Sequence, residues 1–418
     1  MQSLNTFSNL DTQLRKNLTA IFWTGLFFWS SMASQLPTIP LYIRTLTQSF
    51  DEIGLVMGSF AIGLLVCRAY LGKLSDRKGR RYTMRIGLIV AAIVPLCYAA
   101  MPSIPLLMFF RAVHGISIAA FASSYSALIA DLSPIEKRGE VIGYMSLVNP
   151  LGLAFGPAIG GLVYEMWGYQ LLFVTASLFA FVGLLLTTQI ETEGNIGDRQ
   201  ELAKRDLNLG FWTTFLNPRV RVPSTILLLV GLAFGTLSSF MPILMQQKNI
   251  GLNAGVFYMA AALSGFIIRF PVARLSDQWG RGIFISIGIF FYSLSMITIF
   301  FASRDYAFVF SGIAEGIGAG IVIPSVIALL ADRTVPQERG YIFGMTWIGF
   351  DVGIALAGPI MGKMIGLVGI TNIFAIATGL CLLGLVIFGT QSNQTVADSF
   401  KFAIGKSRDR YAIKSSVI

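Results

Sequence analysis

Four side chains that do chemistry in water stand inside long apolar runs of this sequence. Glu315 lies within 305–332, Arg111 and His114 within 103–130, and Asp351 within 340–366. A charge in hydrocarbon costs about 3 kcal/mol or more, so such residues persist for ion pathways, pairing or substrate contact. Arg111 and His114 are three apart and share a helix face. An acid in an apolar cavity is favoured in its neutral form, which suits proton binding and release. Glu315, Asp351 and His114, the only histidine, are therefore the candidates for proton coupling. Alternatives stay open for each. Glu315 either carries the coupling proton or pairs with a buried arginine. Asp351 either couples or caps and pairs near a cytoplasmic gate. His114 is either a relay or a polar part of a cavity wall. Arg111, Gln35 and Trp347 are candidates for cavity and substrate contact, Arg111 also for organising its span electrostatically. Their surroundings are apolar and aromatic, with Phe22, Trp23, Phe27, Phe28, Trp29, Phe234 and Phe240. No cluster of acids or amides of the kind a sugar needs is present, so an amphiphilic or hydrophobic substrate fits better.

The elements that must position these residues come in two copies. Arg68 to Arg80 returns, with a shift of 201 residues, as Arg269 to Arg281. The same shift pairs His114 with Glu315, Asp131 with Asp332, Arg138 with Arg339 and Gly143 with Gly344. One inserted residue later, Gly156, Pro157 and Gly160 meet Gly358, Pro359 and Gly362. A period near half the chain means two homologous halves rather than a solenoid. In a membrane protein such halves mark a transporter, with the binding site near their meeting.

Composition places the chain in a bilayer. It is 55% hydrophobic and 12% charged, with a mean hydropathy of +0.70, where a soluble domain carries about 25% charge. Twelve candidate spans are predicted: 18–42, 51–72, 82–101, 103–130, 139–164, 168–190, 221–246, 252–274, 283–303, 305–332, 340–366 and 369–390. Each has roughly the 17–25 residues a spanning helix needs, and lipid leaves helices as the plausible form. The expected fold is an all-α membrane protein with twelve transmembrane helices in two pseudo-symmetric six-helix bundles. Its expected parts are bundles at 1–190 and 221–390, a cytoplasmic linker at 191–220 with a surface helix near 198–207, and a cytoplasmic tail at 391–418. The tail is polar and basic, expected to be mobile or to lie on the membrane surface.

The net charge of +10 does not point to nucleic acid. Most of the 31 Lys and Arg fall in the N-terminus, the even-numbered loops and the tail. Arg44, Lys248, Arg304 and Lys363 are the exceptions on the other side, and Arg68, Arg111 and Arg269 are intramembrane. That asymmetry places both termini in the cytoplasm. Cys67, Cys97 and Cys381 lie inside spans and give no disulfide or metal spacing. No nucleotide-binding loop, nucleophile–base pair or metal cluster is present, so neither an enzyme nor a cofactor is expected.

Three motifs carry a resemblance. Gly72-Lys73-Leu74-Ser75-Asp76-Arg77-Lys78-Gly79-Arg80-Arg81, between spans two and three, resembles the cytoplasmic signature of the major facilitator superfamily. Leu107, Arg111, His114 and Gly115 in span four resemble a second family motif, with His where Gln is usual. Residues 152–161, with Gly152, Gly156, Pro157, Gly160 and Gly161, are similar to the antiporter motif. The resemblance covers roughly 18–390. It implies alternating access between two parallel halves, with spans four and ten on a central cavity, and it is strongest toward drug/proton antiporter-type efflux proteins.

The loop motif has its own physics. Gly72 and Gly79 allow a tight turn and close approach, and Asp76 can pair with Arg80 or Arg77. With Gly72, Asp76, Gly79, Arg80 and Asp277 this is the expected conformational gate, Asp277 sitting in a weaker second copy that has lost several basic residues. The 152–161 segment is expected to let span five bend and pack at the interface between halves. The reading is a secondary active transporter exporting a small amphiphilic or hydrophobic molecule against protons. It is expected to be a monomer in a bacterial inner membrane, with no metal and no nucleic-acid partner. The alternatives are a lipid or lipid-conjugate flippase of the same fold and a non-transporting membrane sensor or scaffold.

Overall fold

The computed structural model describes residues 11–134, 137–191, 211–335 and 338–413. The linker residues 192–210, including the predicted surface helix near 198–207, lie outside the described residues. Everything described is helix or short connection, without a strand. In order these are α1 (Thr12–Ser34), α2 (Ile39–Leu46), α3 (Phe50–Lys78), α4 (Arg80–Ala100), α5 (Ile104–Leu132), α6 (Arg138–Met145) and α7 (Val148–Leu186). After the linker come α8 (Phe211–Phe215), α9 (Pro218–Gln247), α10 (Ala254–Trp279), α11 (Arg281–Phe301), α12 (Asp305–Arg333), α13 (Arg339–Val368), α14 (Asn372–Gln391) and α15 (Val396–Ala403).

Ten helices among the described residues are long and apolar enough to cross a membrane. One of them, 140–189, divides at Gly168, whose φ of +78° breaks the helical path. With α1, 23 residues long, this accounts for the twelve helices read from the sequence. Span one differs in detail from the expected 18–42. It starts at Thr12, where Asp11 Oδ2 accepts from the backbone of Gln13 and Leu14 at 3.0 and 3.4 Å, satisfying two orphan donors. It ends at Ser34, because Pro37 and Pro40 withhold the N–H groups a continuous helix needs.

The chain divides into two compact units. One comprises 1–46 with 59–206, the other 47–58 with 207–418. The second unit thus takes in the first turns of α3, where Gly54 and Gly58 lie on α13 against Gly358 and Ala355. Elsewhere each unit repeats one set of helix pairs. In the first, α1 packs on α7 and α4 on α5 and α7; in the second, α9 packs on α13 and α11 on α12 and α14. The connections repeat as well. Gly79 (φ +100°) and Gly280 (φ +90°) turn the chain between α3 and α4 and between α10 and α11. Gly168 and Gly369 (φ +86°) do so within α7 and after α13. A side chain is strained at such φ values, which is why glycine recurs at the shift of 201. Gly72, by contrast, lies inside α3 with open space where a Cβ would be, so it makes neither a turn nor a close approach.

The tail departs from the expectation of a mobile segment. Residues 393–413 fold back onto the second unit. Arg333, fully buried at the end of α12, donates from Nε and Nη2 to Asp409 at 2.6 and 3.0 Å. It also donates to the carbonyls of Ser392 at 2.7 Å and Arg219 at 3.1 Å, with its guanidinium 5.1 Å from the Tyr411 ring. The Ile413 N–H reaches the Asp332 carbonyl at 2.9 Å.

Candidate functional site

In the first unit, packing brings the polar residues of span four to one place. Gly115 lets α5 lie directly on the Phe60 carbonyl of α3. One residue earlier, His114 is 1% exposed, with Nδ1 3.0 Å from the Tyr98 hydroxyl of α4. Tyr98 is itself held, its carbonyl accepting from the Tyr42 hydroxyl at 2.7 Å. Arg111 stacks on Phe60, guanidinium carbon to ring centroid 4.7 Å, an attraction that offsets part of its desolvation. His114 Nε2 and Arg111 Nε are buried without a hydrogen-bond partner among the described residues. If Nδ1 accepts from Tyr98, Nε2 is left as a donor; if Nδ1 donates, Nε2 is left as an acceptor. Either way a buried polar atom stays open. Gln35, at the end of α1, is alike: Nε2 donates to the Ser31 carbonyl at 3.1 Å, while Oε1 is buried with no hydrogen bond.

The second unit repeats the packing and changes the chemistry. Gly316 lets α12 lie on the Ala261 carbonyl of α10, the repeat of Gly115 on Phe60. One residue earlier, Glu315 is 6% exposed. Its Oε1 accepts from the Tyr292 hydroxyl of α11 at 2.9 Å. The Tyr258 hydroxyl of α10 is buried without a hydrogen bond among the described residues. The partner in the structure is thus a tyrosine of the same unit, not the buried arginine that the sequence left open. A neutral hydroxyl satisfies one lone pair but supplies no countercharge, so an ionised Glu315 here is costly and a protonated one is not. Asp351, 4% exposed, is on α13, the helix that lies on α9 through Gly349 and Gly353. The neighbouring turn carries Trp347, edge-on to Phe350 at 5.6 Å, and Phe350 stacks on Phe234 at 6.1 Å. No hydrogen bond joins Asp351 to Glu315 among the described residues.

The loop motif forms a compact cluster, and it forms twice. Arg80 pairs with Asp76 one turn back, with Asp131 at 3.5 Å, and donates to Ser75 Oγ at 3.3 Å. Arg281 pairs with Asp277, with Asp332 at 3.3 Å, and donates to Ser276 Oγ at 2.7 Å. The acid, arginine and serine set of the second copy is complete, despite the basic residues lost around it. The two copies differ at one serine of the neighbouring helix. Ser124 donates to Ser75 at 2.9 Å, whereas its repeat, Ser325, is buried with no hydrogen bond from its hydroxyl among the described residues. Both clusters are partly exposed, and pairs of that kind contribute no more than about 1 kcal/mol each. Their removal should therefore leave the fold intact and shift a balance between conformations. Asp76→Asn is expected to insert normally and to slow transport about fivefold, the size of a 1 kcal/mol bias. Asp277→Asn should act in the same direction. Equal initial rates for wild type and Asp76→Asn at matched protein levels would remove the cluster from the gate.

Three glycines of the 152–161 motif pack inside the first unit. Gly152, Gly156 and Gly160 meet Trp29, Ser30 and Ser34 of α1, inside the first unit. They form a seam that holds α7 to α1, and Pro157 and Gly161 of the same segment are buried. Small residues mark close helix crossings without naming the partner, and for the three glycines the partner is α1.

The sequence reading missed Tyr98, Tyr292, Tyr258, Ser75 and Ser276. The serines were findable, since the repeat conserves their spacing to Arg80 and Arg281. The tyrosines were not, because the shift pairs Tyr98 with Ile299 and Tyr292 with Ala91.

With this geometry in hand, the chain can be set beside known proteins. A family model described as Major Facilitator Superfamily matches residues 21–303 and 266–403. Quinolone resistance protein NorA of Staphylococcus aureus is 22% identical over 386 residues, covering 90% of this chain and 96% of that protein. Multidrug resistance protein 1 of Bacillus subtilis is 25% identical over 381 residues, covering 89% and 96%. Among solved structures, the nucleoside transporter NupG superposes with a TM-score of 0.73 at 15% identity, over 88% of this chain and 98% of that one. A POT family transporter in complex with 5-aminolevulinic acid gives 0.72 at 13% identity, over 88% and 94%. At these identities the structural likeness speaks for the fold alone.

Proposed function

We propose that this chain, which belongs to the major facilitator superfamily, exports small amphiphilic or hydrophobic molecules in exchange for protons. The observation that carries the reading is Glu315, a buried acid in the middle of α12 whose hydrogen-bond partner is a neutral tyrosine. Such a carboxylate changes its energy steeply with protonation, so a proton taken from one side and given to the other can bias alternating access. A ligand shifts that equilibrium only through different affinities for the two states. Relatives named for quinolone and multidrug resistance support the substrate class, as does the aromatic, amide-poor sequence of the spans. His114 Nε2, Gln35 Oε1 and Arg111 supply the few polar groups an amphiphile would need. The chain acts as a monomer, and Asp351 is the second candidate for the proton.

A direct test is reconstitution of the purified protein in proteoliposomes. A fluorescent quinolone and a lipophilic dye cation are expected to accumulate when a pH gradient is imposed and to leak out when a protonophore dissipates it. Accumulation that ignores the gradient would overturn proton coupling while leaving transport.

The placement of Lys and Arg supports both termini in the cytoplasm, and the bacterial relatives support an inner-membrane location. A cysteine replacing Ser303, between α11 and α12, should react with an impermeant maleimide from outside intact cells. One placed in the 192–210 linker should react only after lysis. The reverse pattern would invert the topology.

A further inference from the structure

The docked tail leaves one apolar face uncovered. Helix α15 turns Ser399, Phe402 and Ala403 inward. Phe402 sits on Gly282 of α11 and 6.0 Å from the Phe388 ring of α14. The opposite face carries Val396 (63% exposed), Phe400 (59%) and Ile404 (38%). These three are four residues apart, one line along the helix. Exposure there is not explained by membrane spanning, because α14 has ended at Gln391. Around the line stand Lys401, Lys406 and Arg408, all exposed, with Arg410 paired to Asp398 at 3.1 Å.

We propose that α15 is an interfacial anchor that lays the Val396–Phe400–Ile404 line into the cytoplasmic leaflet, with Lys401, Lys406 and Arg408 on anionic lipid headgroups. This rests on the cytoplasmic placement of the tail. Two features select a bilayer as the occupant. The helix begins five residues after a membrane span, so the headgroup region is within reach. Its apolar line is narrow, with exposed Lys401 on the same helix and exposed Lys406 and Arg408 just after it, the pattern of a surface-lying helix. Each cation gains about a fivefold preference for an anionic over a neutral surface. The anchor is stiffly joined to the transport machinery. The Asn393 amide donates to the Arg408 carbonyl at 3.3 Å and Asn393 Oδ1 accepts from the Arg410 N–H at 3.2 Å. Asp409 then grips Arg333, next to Asp332 of the second charge cluster.

The test uses full-length protein in nanodiscs of phosphatidylcholine, alone or mixed with phosphatidylglycerol. In a chain with Cys67, Cys97 and Cys381 replaced by alanine, single cysteines at Val396, Phe400 and Lys401 carry a nitroxide label. Labels at 396 and 400 are expected to meet oxygen more than a water-soluble relaxant, and the label at 401 the reverse. Hydrogen exchange of 396–404 in the unmodified chain should slow in the anionic discs. Replacing Lys401 and Lys406 by glutamine should undo that slowing, about fivefold per lysine. Equal water access at all three positions, or exchange indifferent to phosphatidylglycerol, would overturn the proposal. Spin–spin broadening between discs' paired copies would overturn it too, by assigning the face to a second copy of the chain. Because none of these readouts measures flux, they stand or fall apart from proton coupling.

Discussion

Replacing Glu315 by glutamine is expected to abolish gradient-driven accumulation while leaving substrate binding in place. The amide keeps the shape of the side chain and can still accept from the Tyr292 hydroxyl, so packing on α11 is retained. What it loses is titration. A protein that cannot take up the proton cannot use its gradient, and the steady accumulation ratio should fall to that of protein-free vesicles. Exchange of substrate for substrate, which needs no net proton movement, should continue. Asp351→Asn is the competing variant. If Glu315→Gln still concentrates substrate with normal pH dependence, Glu315 is structural and Asp351 inherits the role. If both variants stay coupled, the antiport reading loses its residues.

The second large effect is on stability. Asp409→Ala leaves the Arg333 guanidinium buried with two carbonyls and an aromatic face but no counter-charge. Breaking a buried pair by removing one partner costs about 3 kcal/mol, and for a unit of this size the thermal midpoint should drop by about 10 °C. Asp409→Asn should cost less, since the amide oxygen can still accept from Arg333. Scanning fluorimetry of the purified variants reads both, and an unchanged midpoint for Asp409→Ala would show that the tail does not hold the second unit together. The contrast with Asp76 is one of burial. Its pair is 45% exposed on the acid side, and water already screens most of what the pair could contribute.

Most of the architecture was legible because it is written twice. The shift of 201 exposes the charge clusters, the turn at Gly79 and Gly280 and the equivalence of His114 and Glu315. Local chemistry explains what was not legible. Whether Gly152 and Gly160 face α1 or another unit depends on which helix approaches, and a glycine has no side chain to say. Span one was drawn through Pro37 because its hydropathy continues, although the hydrogen-bond ladder cannot. The partner of Glu315 comes from α11, where nothing in the repeat marks Tyr292. Arg333 was invisible for the opposite reason: its repeat position is Leu132, and its acid lies in a tail whose composition reads as solvated chain. The asymmetric residues were the hardest to read and are the ones that distinguish the two units.

The central claim is that substrate and proton move in opposite directions through one protein. Proteoliposomes loaded with a quinolone and with the pH dye pyranine, then diluted into substrate-free buffer of the same pH, test it without an imposed gradient. The account predicts that substrate leaving through the wild-type protein acidifies the lumen, and that Glu315→Gln vesicles show no such acidification. Substrate release by the wild-type protein with no change in lumenal pH, beyond that of protein-free vesicles, would contradict it.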